Sequence, residues 1–119
     1  MALAVTSRIV SDVVIVEISG RLCFLETALL DSIQKLLGEG RREFVLNLAD
    51  VAYVDSFGLG QLISVWTLIQ GKGGQMILLR PTTYVQKLFQ ITKLNDVFQV
   101  SSDENEAIKS ARVGLPASA

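Results

Sequence analysis

The chain has 119 residues, of which 50% are hydrophobic, and a formal net charge of −1. This length fits one domain with a single core, and the near balance of 11 basic and 12 acidic residues provides no basic patch for nucleic acid. The sequence has no histidine and one cysteine, Cys23, which excludes histidine-based catalytic triads, an internal disulfide and a cysteine metal cluster.

The apolar runs of the sequence are far shorter than the roughly 20 residues that span a bilayer. The first residues also lack the charged and apolar segments of a signal peptide. The remaining polar residues provide no evident pair of nucleophile and base and no set of metal ligands. We therefore expect a cytoplasmic protein without membrane contact, enzymatic activity, bound metal or cofactor.

The first third of the chain predicts a hairpin followed by a helix. Residues 3–10 and 13–18 are rich in β-branched side chains and flank a turn signal at Ser11-Asp12, which is the pattern of a β-hairpin. From Leu25 to Leu37, apolar residues recur at spacings of three and four, which predicts a helix with these side chains facing the core.

The middle of the chain alternates between buried strands and a helix. Residues 44–48 and 75–79 are short apolar runs that predict strands. Residues 50–56 hold several apolar side chains, so we expect a connecting segment that packs on the domain. Residues 57–70 then carry apolar side chains along one face of a predicted helix.

The last third predicts two more helices. Thr82 or Thr83 is expected to cap a short helix, and residues 103–112 predict another. The order β-β-α-β-α-β-α-α favours an α/β fold: a four-stranded mixed sheet with an antiparallel first strand and four helices packed mainly on one side. We expect one domain at 1–113 and a frayed tail at 114–119.

A polar pair, Asp55 and Ser56, separates the connecting segment from the second predicted helix. Ser is a favoured N-cap because its hydroxyl accepts a hydrogen bond from a backbone N–H of the first turn. The helix dipole favours negative charge at this end, so a phosphate of about −1.5 to −2 charges on Ser56 would spare the fold while acting on a docked partner. The residues alone also allow a simpler interpretation, in which Ser56 is only a cap.

Two glycines, Gly58 and Gly60, fall in the first turn of that helix. Each costs about 1 kcal/mol of helix stability relative to alanine. One explanation is that another protein's backbone approaches them closely, and the other is tight packing of the helix on the sheet.

The segment 55–60, Asp-Ser-Phe-Gly-Leu-Gly, resembles the signature of the STAS family, the sulfate-transporter and anti-sigma-factor-antagonist domains. The resemblance extends over nearly the whole chain, through the glycine of 20–22, the strand at 44–48, the glycine-led strand at 73–78 and Pro81 with the helix after it. It implies a STAS-like fold.

Stand-alone members of this family bind an anti-sigma factor that is also a serine kinase, which frees the sigma factor. The kinase phosphorylates the serine after the aspartate, here Ser56, and a serine phosphatase reverses the change. The resemblance therefore implies an anti-sigma factor antagonist that is switched off by phosphorylation of Ser56. The partner-binding residues that it implies are Asp55, Ser56, Phe57, Gly58, Leu59, Gly60 and Cys23.

Two positions depart from the family pattern. Cys23 stands where antagonists commonly carry an aspartate, and Phe57 stands where they usually carry a small residue. Two alternatives therefore stay open: a non-phosphorylated scaffold module of a larger signalling complex, and a STAS protein that binds a small molecule or nucleotide. Cys23 itself is either a small buried hydrophobe or a redox sensor.

Overall fold

The computed structural model describes residues 3–113, and the tail predicted at 114–119 lies outside the described residues. The strands are β1 (Ala4–Val10), β2 (Val13–Leu22), β3 (Glu43–Val54), β4 (Gln75–Leu79) and β5 (Gln99–Ser101). The helices are α1 (Ala28–Gly38), α2 (Ser56–Gly71), α3 (Thr83–Ile91) and α4 (Glu104–Val113), with a short 3₁₀ turn at 94–96. None of the helices in the described part of the chain has the length and apolar character needed to cross a membrane.

Within residues 3–113 the strands form one sheet in the order β1-β2-β3-β4-β5. The hairpin turn at Ser11 and Asp12 makes β1 antiparallel to β2, whereas the other neighbouring strands are parallel. The α/β class and the antiparallel first strand are therefore confirmed, but the sheet has five strands and not the predicted four. The sequence pattern missed β5 because it is only three residues long and two of them are exposed.

Both faces of the sheet are covered, and the larger core lies on one of them. Alternate side chains of β2 show the division: Val14 and Val16 face the core shared with α1, α2 and α3, whereas Val13 and Ile15 face Ala107 of α4. Three helices thus pack on one face and α4 on the other, which agrees with the prediction that the helices lie mainly on one side.

The connecting segment predicted at 50–56 is wrong, because β3 continues to Val54 and α2 begins at Ser56. After register shifts between Glu17 and Ser19 and between Gly20 and Arg21, the pairing of β2 with β3 ends with Leu22 opposite Val54. The two strands therefore end side by side, and the segment that separates β3 from α2 is reduced to Asp55.

The first predicted helix begins later than its apolar spacing indicated. α1 starts at Ala28, and Leu25 lies in the loop between β2 and α1, which we call the β2–α1 loop (Cys23–Thr27). Leu25 has a left-handed backbone with φ of 72° and is 81% exposed, so its expected place in the core is wrong. The core-facing positions of α1 are Leu29, Ile33 and Leu37.

We expect Thr82→Ala to destabilise the domain by about 1 kcal/mol, which is typical of a lost N-cap. Thr82 is the N-cap of α3, and its Oγ1 accepts a hydrogen bond from the Val85 N–H at 3.2 Å. Thr83 is the exposed first residue of the helix, so Thr83→Ala is the matched control with an effect near zero. Urea denaturation of both variants measures the difference, and equal losses would contradict the assignment of the cap.

Candidate functional site

The start of α2 lies at the carboxyl edge of the parallel strands. The Asp55 N–H donates to the Leu22 carbonyl oxygen at 3.3 Å, which ties the end of β3 to the end of β2. Since β2 continues directly into the β2–α1 loop, this loop and the first turn of α2 lie together. In open α/β sheets, this edge is where binding sites occur.

Asp55 is the N-cap of α2, and the expectation that Ser56 is the cap is wrong. Asp55 has an extended backbone, and its Oδ1 accepts a hydrogen bond from the Gly58 N–H at 2.9 Å. Its Oδ2 accepts a second hydrogen bond from the Phe24 N–H, at 3.3 Å. The half-buried carboxylate is therefore engaged in holding the local structure.

Ser56 is the first residue of α2, and it is exposed. Gly60 and Ile63 follow at spacings that place them on the same side of the helix, and both are exposed as well. Within residues 3–113, the Ser56 hydroxyl has no hydrogen-bond partner. Modification of this oxygen would therefore break no hydrogen bond among residues 3–113.

The two glycines of the first turn have different roles. A Cβ atom on Gly58 would overlap the Leu22 carbonyl oxygen and lie 2.8 Å from the carbonyl carbon, so Gly58 is required for packing against the end of β2. A Cβ atom on Gly60 would meet nothing within 4 Å. Leu59 is half-buried against the larger core. Gly58 is thus buried, Leu59 is partly exposed and Gly60 is exposed.

Two aromatic rings flank the site on the side of the β2–α1 loop. Phe57 is 57% exposed and Phe24 is 56% exposed, and their ring centroids are 4.6 Å apart. Leu25 is the next residue of the loop and is 81% exposed. We call Phe24, Leu25 and Phe57 the apolar patch. Large contiguous patches of exposed apolar groups are typical of surfaces that contact other proteins.

Cys23 begins the β2–α1 loop and is half-buried. Its thiol points to the Arg21 carbonyl oxygen, with a distance of 4.0 Å from Sγ. The residue is thus close in sequence to Phe24 but is less exposed than Phe24 or Leu25.

The sequence interpretation missed a row of stacked side chains at the same edge. The Arg21 guanidinium lies 4.3 Å from the ring centroid of Tyr53, which stacks on Tyr84 at 6.3 Å. The Tyr84 hydroxyl donates to the Val54 carbonyl oxygen at 3.1 Å and so fixes the ring to the end of β3. The sequence gives no clear signal for this row, because it predicts a connecting segment at Tyr53 and not the end of a strand.

Among the described residues, no group of three or more cysteine, aspartate or glutamate side chains is arranged to hold a metal ion.

A model of the STAS domain matches residues 4–107. The chain belongs to the STAS domain family. It is 28% identical over 107 residues to a protein of Thermotoga maritima that is provisionally named an anti-sigma factor antagonist, and the match covers 88% of this chain and 95% of that protein. It is 29% identical over 73 residues to the anti-sigma-B factor antagonist of Bacillus subtilis, with 61% and 67% covered.

Solved structures agree with this assignment. The crystal structure of the Thermotoga maritima protein superposes with a TM-score of 0.82 at 27% identity, covering 91% of this chain and 94% of the other. The unphosphorylated anti-sigma factor antagonist SpoIIAA superposes with a TM-score of 0.69 at 22% identity, covering 92% and 98%. The second likeness shows the shared fold alone.

The contrast between the two glycines of this STAS domain can be measured. We expect Gly58→Ala to lower the free energy of unfolding by about 2–3 kcal/mol, because the new methyl group collides with backbone atoms that cannot move aside. Gly60→Ala is the control, and we expect it to be neutral or to stabilise by up to about 1 kcal/mol through higher helix propensity. Urea denaturation of both variants tests this, and a Gly58→Ala protein as stable as Gly60→Ala would contradict the packing role.

Proposed function

We propose that this STAS domain is an anti-sigma factor antagonist that binds an anti-sigma factor with serine kinase activity and is switched off by phosphorylation of Ser56. The supporting observation is that Asp55 and Ser56 have different roles at the start of α2. Asp55 caps the helix, which leaves the Ser56 hydroxyl exposed and without a partner within residues 3–113. A serine phosphatase would restore the binding form. In this proposal the protein is a cytoplasmic regulator and has no enzymatic activity of its own.

The effect of the phosphate follows from where it would lie. A phosphoryl group on Ser56 adds about −1.5 to −2 charges at pH 7. The positive end of the α2 dipole stabilises such a charge, so the domain stays folded. The same charge lies beside the apolar patch, and a partner that covers this patch would have to remove water from the phosphate. Phosphorylation would therefore weaken the complex and spare the domain.

We expect a Ser56→Asp bait to lose a partner that the wild-type and Ser56→Ala baits capture from the native cell extract. Ser64 is also exposed on α2, so Ser64→Asp is a matched control for the added charge and should still capture the partner. Incubation of the wild-type protein with the purified partner and ATP should then add one phosphate, measured by intact mass, and Ser56→Ala should receive none. Equal capture by Ser56→Asp and Ser64→Asp would refute the switch.

The half-exposed Phe57 ring favours a second candidate, a scaffold module without a phosphate switch. A large, exposed aromatic side chain next to Ser56 suits a permanent contact with another protein, because such residues anchor interfaces. Light scattering of the native complex combined with intact-mass analysis separates the two. A large assembly that contains unmodified Ser56 and receives no phosphate from its bound partner would favour the scaffold.

A further inference from the structure

The Asp55 carboxylate joins two elements that are far apart in sequence. One oxygen accepts from the Gly58 N–H at 2.9 Å, within the first turn of α2. The other accepts from the Phe24 N–H at 3.3 Å, in the β2–α1 loop. An N-cap needs only the first of these bonds. The second bond connects the cap to the loop that carries two of the three residues of the apolar patch.

The β2–α1 loop depends for its conformation on hydrogen bonds such as the one between the Phe24 N–H and Asp55. Leu25 has a left-handed backbone, a conformation that costs a residue with a Cβ atom about 1–2 kcal/mol. Phe24 and Leu25 are mostly exposed, so their own packing does little to offset that cost. Within the loop the Glu26 N–H donates to the Cys23 carbonyl at 3.1 Å. Two contacts come from outside the loop. The Gln61 side chain of α2 donates to the Glu26 carbonyl oxygen, and the Asp55 carboxylate accepts from the Phe24 N–H.

We propose that Asp55 is a positioning residue, which holds the β2–α1 loop so that Phe24 and Leu25 stand beside Phe57 and present one apolar surface to the partner. Asp55 acts through the loop and does not itself touch the partner, since both of its oxygens are directed at backbone N–H groups of this chain. The occupant of the surface is the protein partner of the proposed function, which would offer an apolar pocket next to Ser56. The part of this inference that concerns binding rests on the proposed function, whereas the part that concerns the loop does not.

Substitution of Asp55 by asparagine separates the two bonds. Asparagine is as good an N-cap as aspartate but has a single acceptor oxygen, so it keeps only one bond. Because the bond to Gly58 is the shorter one, we expect the cap to remain and the bond to Phe24 to be lost. If Asp55→Asn folds poorly, Asp55→Ser serves the same purpose, since its shorter side chain caps the helix without reaching Phe24.

Asp103 provides the matched control. Its Oδ2 accepts from the Glu106 N–H at 2.9 Å at the start of α4, and no second bond to a loop is formed by this carboxylate within residues 3–113. Asp103→Asn therefore removes the same charge from the same kind of position.

Amide hydrogen exchange, measured residue by residue by NMR, tests the loop without any partner. We expect Asp55→Asn to speed exchange of the Phe24 amide by about tenfold or more, as fits the loss of a bond to a charged group. The Gly58 amide should stay protected, and Asp103→Asn should leave Phe24 unchanged. Unaltered exchange at Phe24 in both Asp55 variants would overturn the proposal.

A double-mutant cycle tests how Asp55 affects binding. The probe is the protein that wild-type but not Ser56→Asp bait captures, purified and titrated against wild type, Asp55→Asn, Phe24→Ala and the double variant. If Asp55 acts through the loop, each single change weakens binding about tenfold or more, and the double variant is little weaker than Phe24→Ala alone. Losses that multiply would show that Asp55 contacts the partner directly. If no such protein is captured, the proposed function fails, while amide exchange still decides whether Asp55 holds the loop.

Discussion

The close approach of the first turn of α2 to the end of β2 governs the rest of this edge of the molecule. Gly58 lies against the Leu22 carbonyl group, and any side chain there would collide with it. The same carbonyl oxygen accepts the Asp55 N–H, so one peptide group of β2 fixes both the end of β3 and the start of α2. This contact places the β2–α1 loop next to Ser56, although some 30 residues separate them in the sequence.

In this arrangement the adjacent residues Asp55 and Ser56 have different roles. Asp55 directs its carboxylate inwards to two N–H groups, and Ser56 directs its side chain to solvent. A charge added to Ser56 is therefore stabilised by the helix end without competing for the cap. The observed geometry thus suits a switch that changes a surface while the fold stays constant.

The sequence predicted the fold class, the parallel arrangement and the position of the exposed serine, because long periodic segments and glycine-bounded strands are strong signals. It assigned the cap to Ser56 because both Asp55 and Ser56 are good caps, and their ranking cannot decide which of two neighbours begins the helix. Leu25 continues the apolar spacing of α1, and only the left-handed backbone at this residue removes it from the helix. The strand β5 has three residues and is too short to show the alternation of apolar and polar side chains that identifies a strand.

The two explanations for the glycines could not be separated before the structure was known. Gly58 and Gly60 are two residues apart in the same helix turn, and the sequence does not show what packs against each of them. What distinguishes them is the neighbour of each: a backbone carbonyl for Gly58 and open space for Gly60. The same limit applies to Phe57, whose pairing with Phe24 depends on a contact between the β2–α1 loop and α2. Local patterns identify the residue types, and contacts across the fold decide their roles.

The energies involved show why one phosphate would be sufficient to reverse binding. Full burial of the exposed parts of Phe24, Leu25 and Phe57 would contribute about 3–6 kcal/mol, given about 1.5–3 kcal/mol for a whole large apolar side chain. Removing water from an unpaired charge costs several kcal/mol per ion. The two terms are of the same size and opposite sign. A phosphate beside the apolar patch would therefore cancel what the patch contributes, and a partner would need its own cations at this place to bind the phosphorylated form.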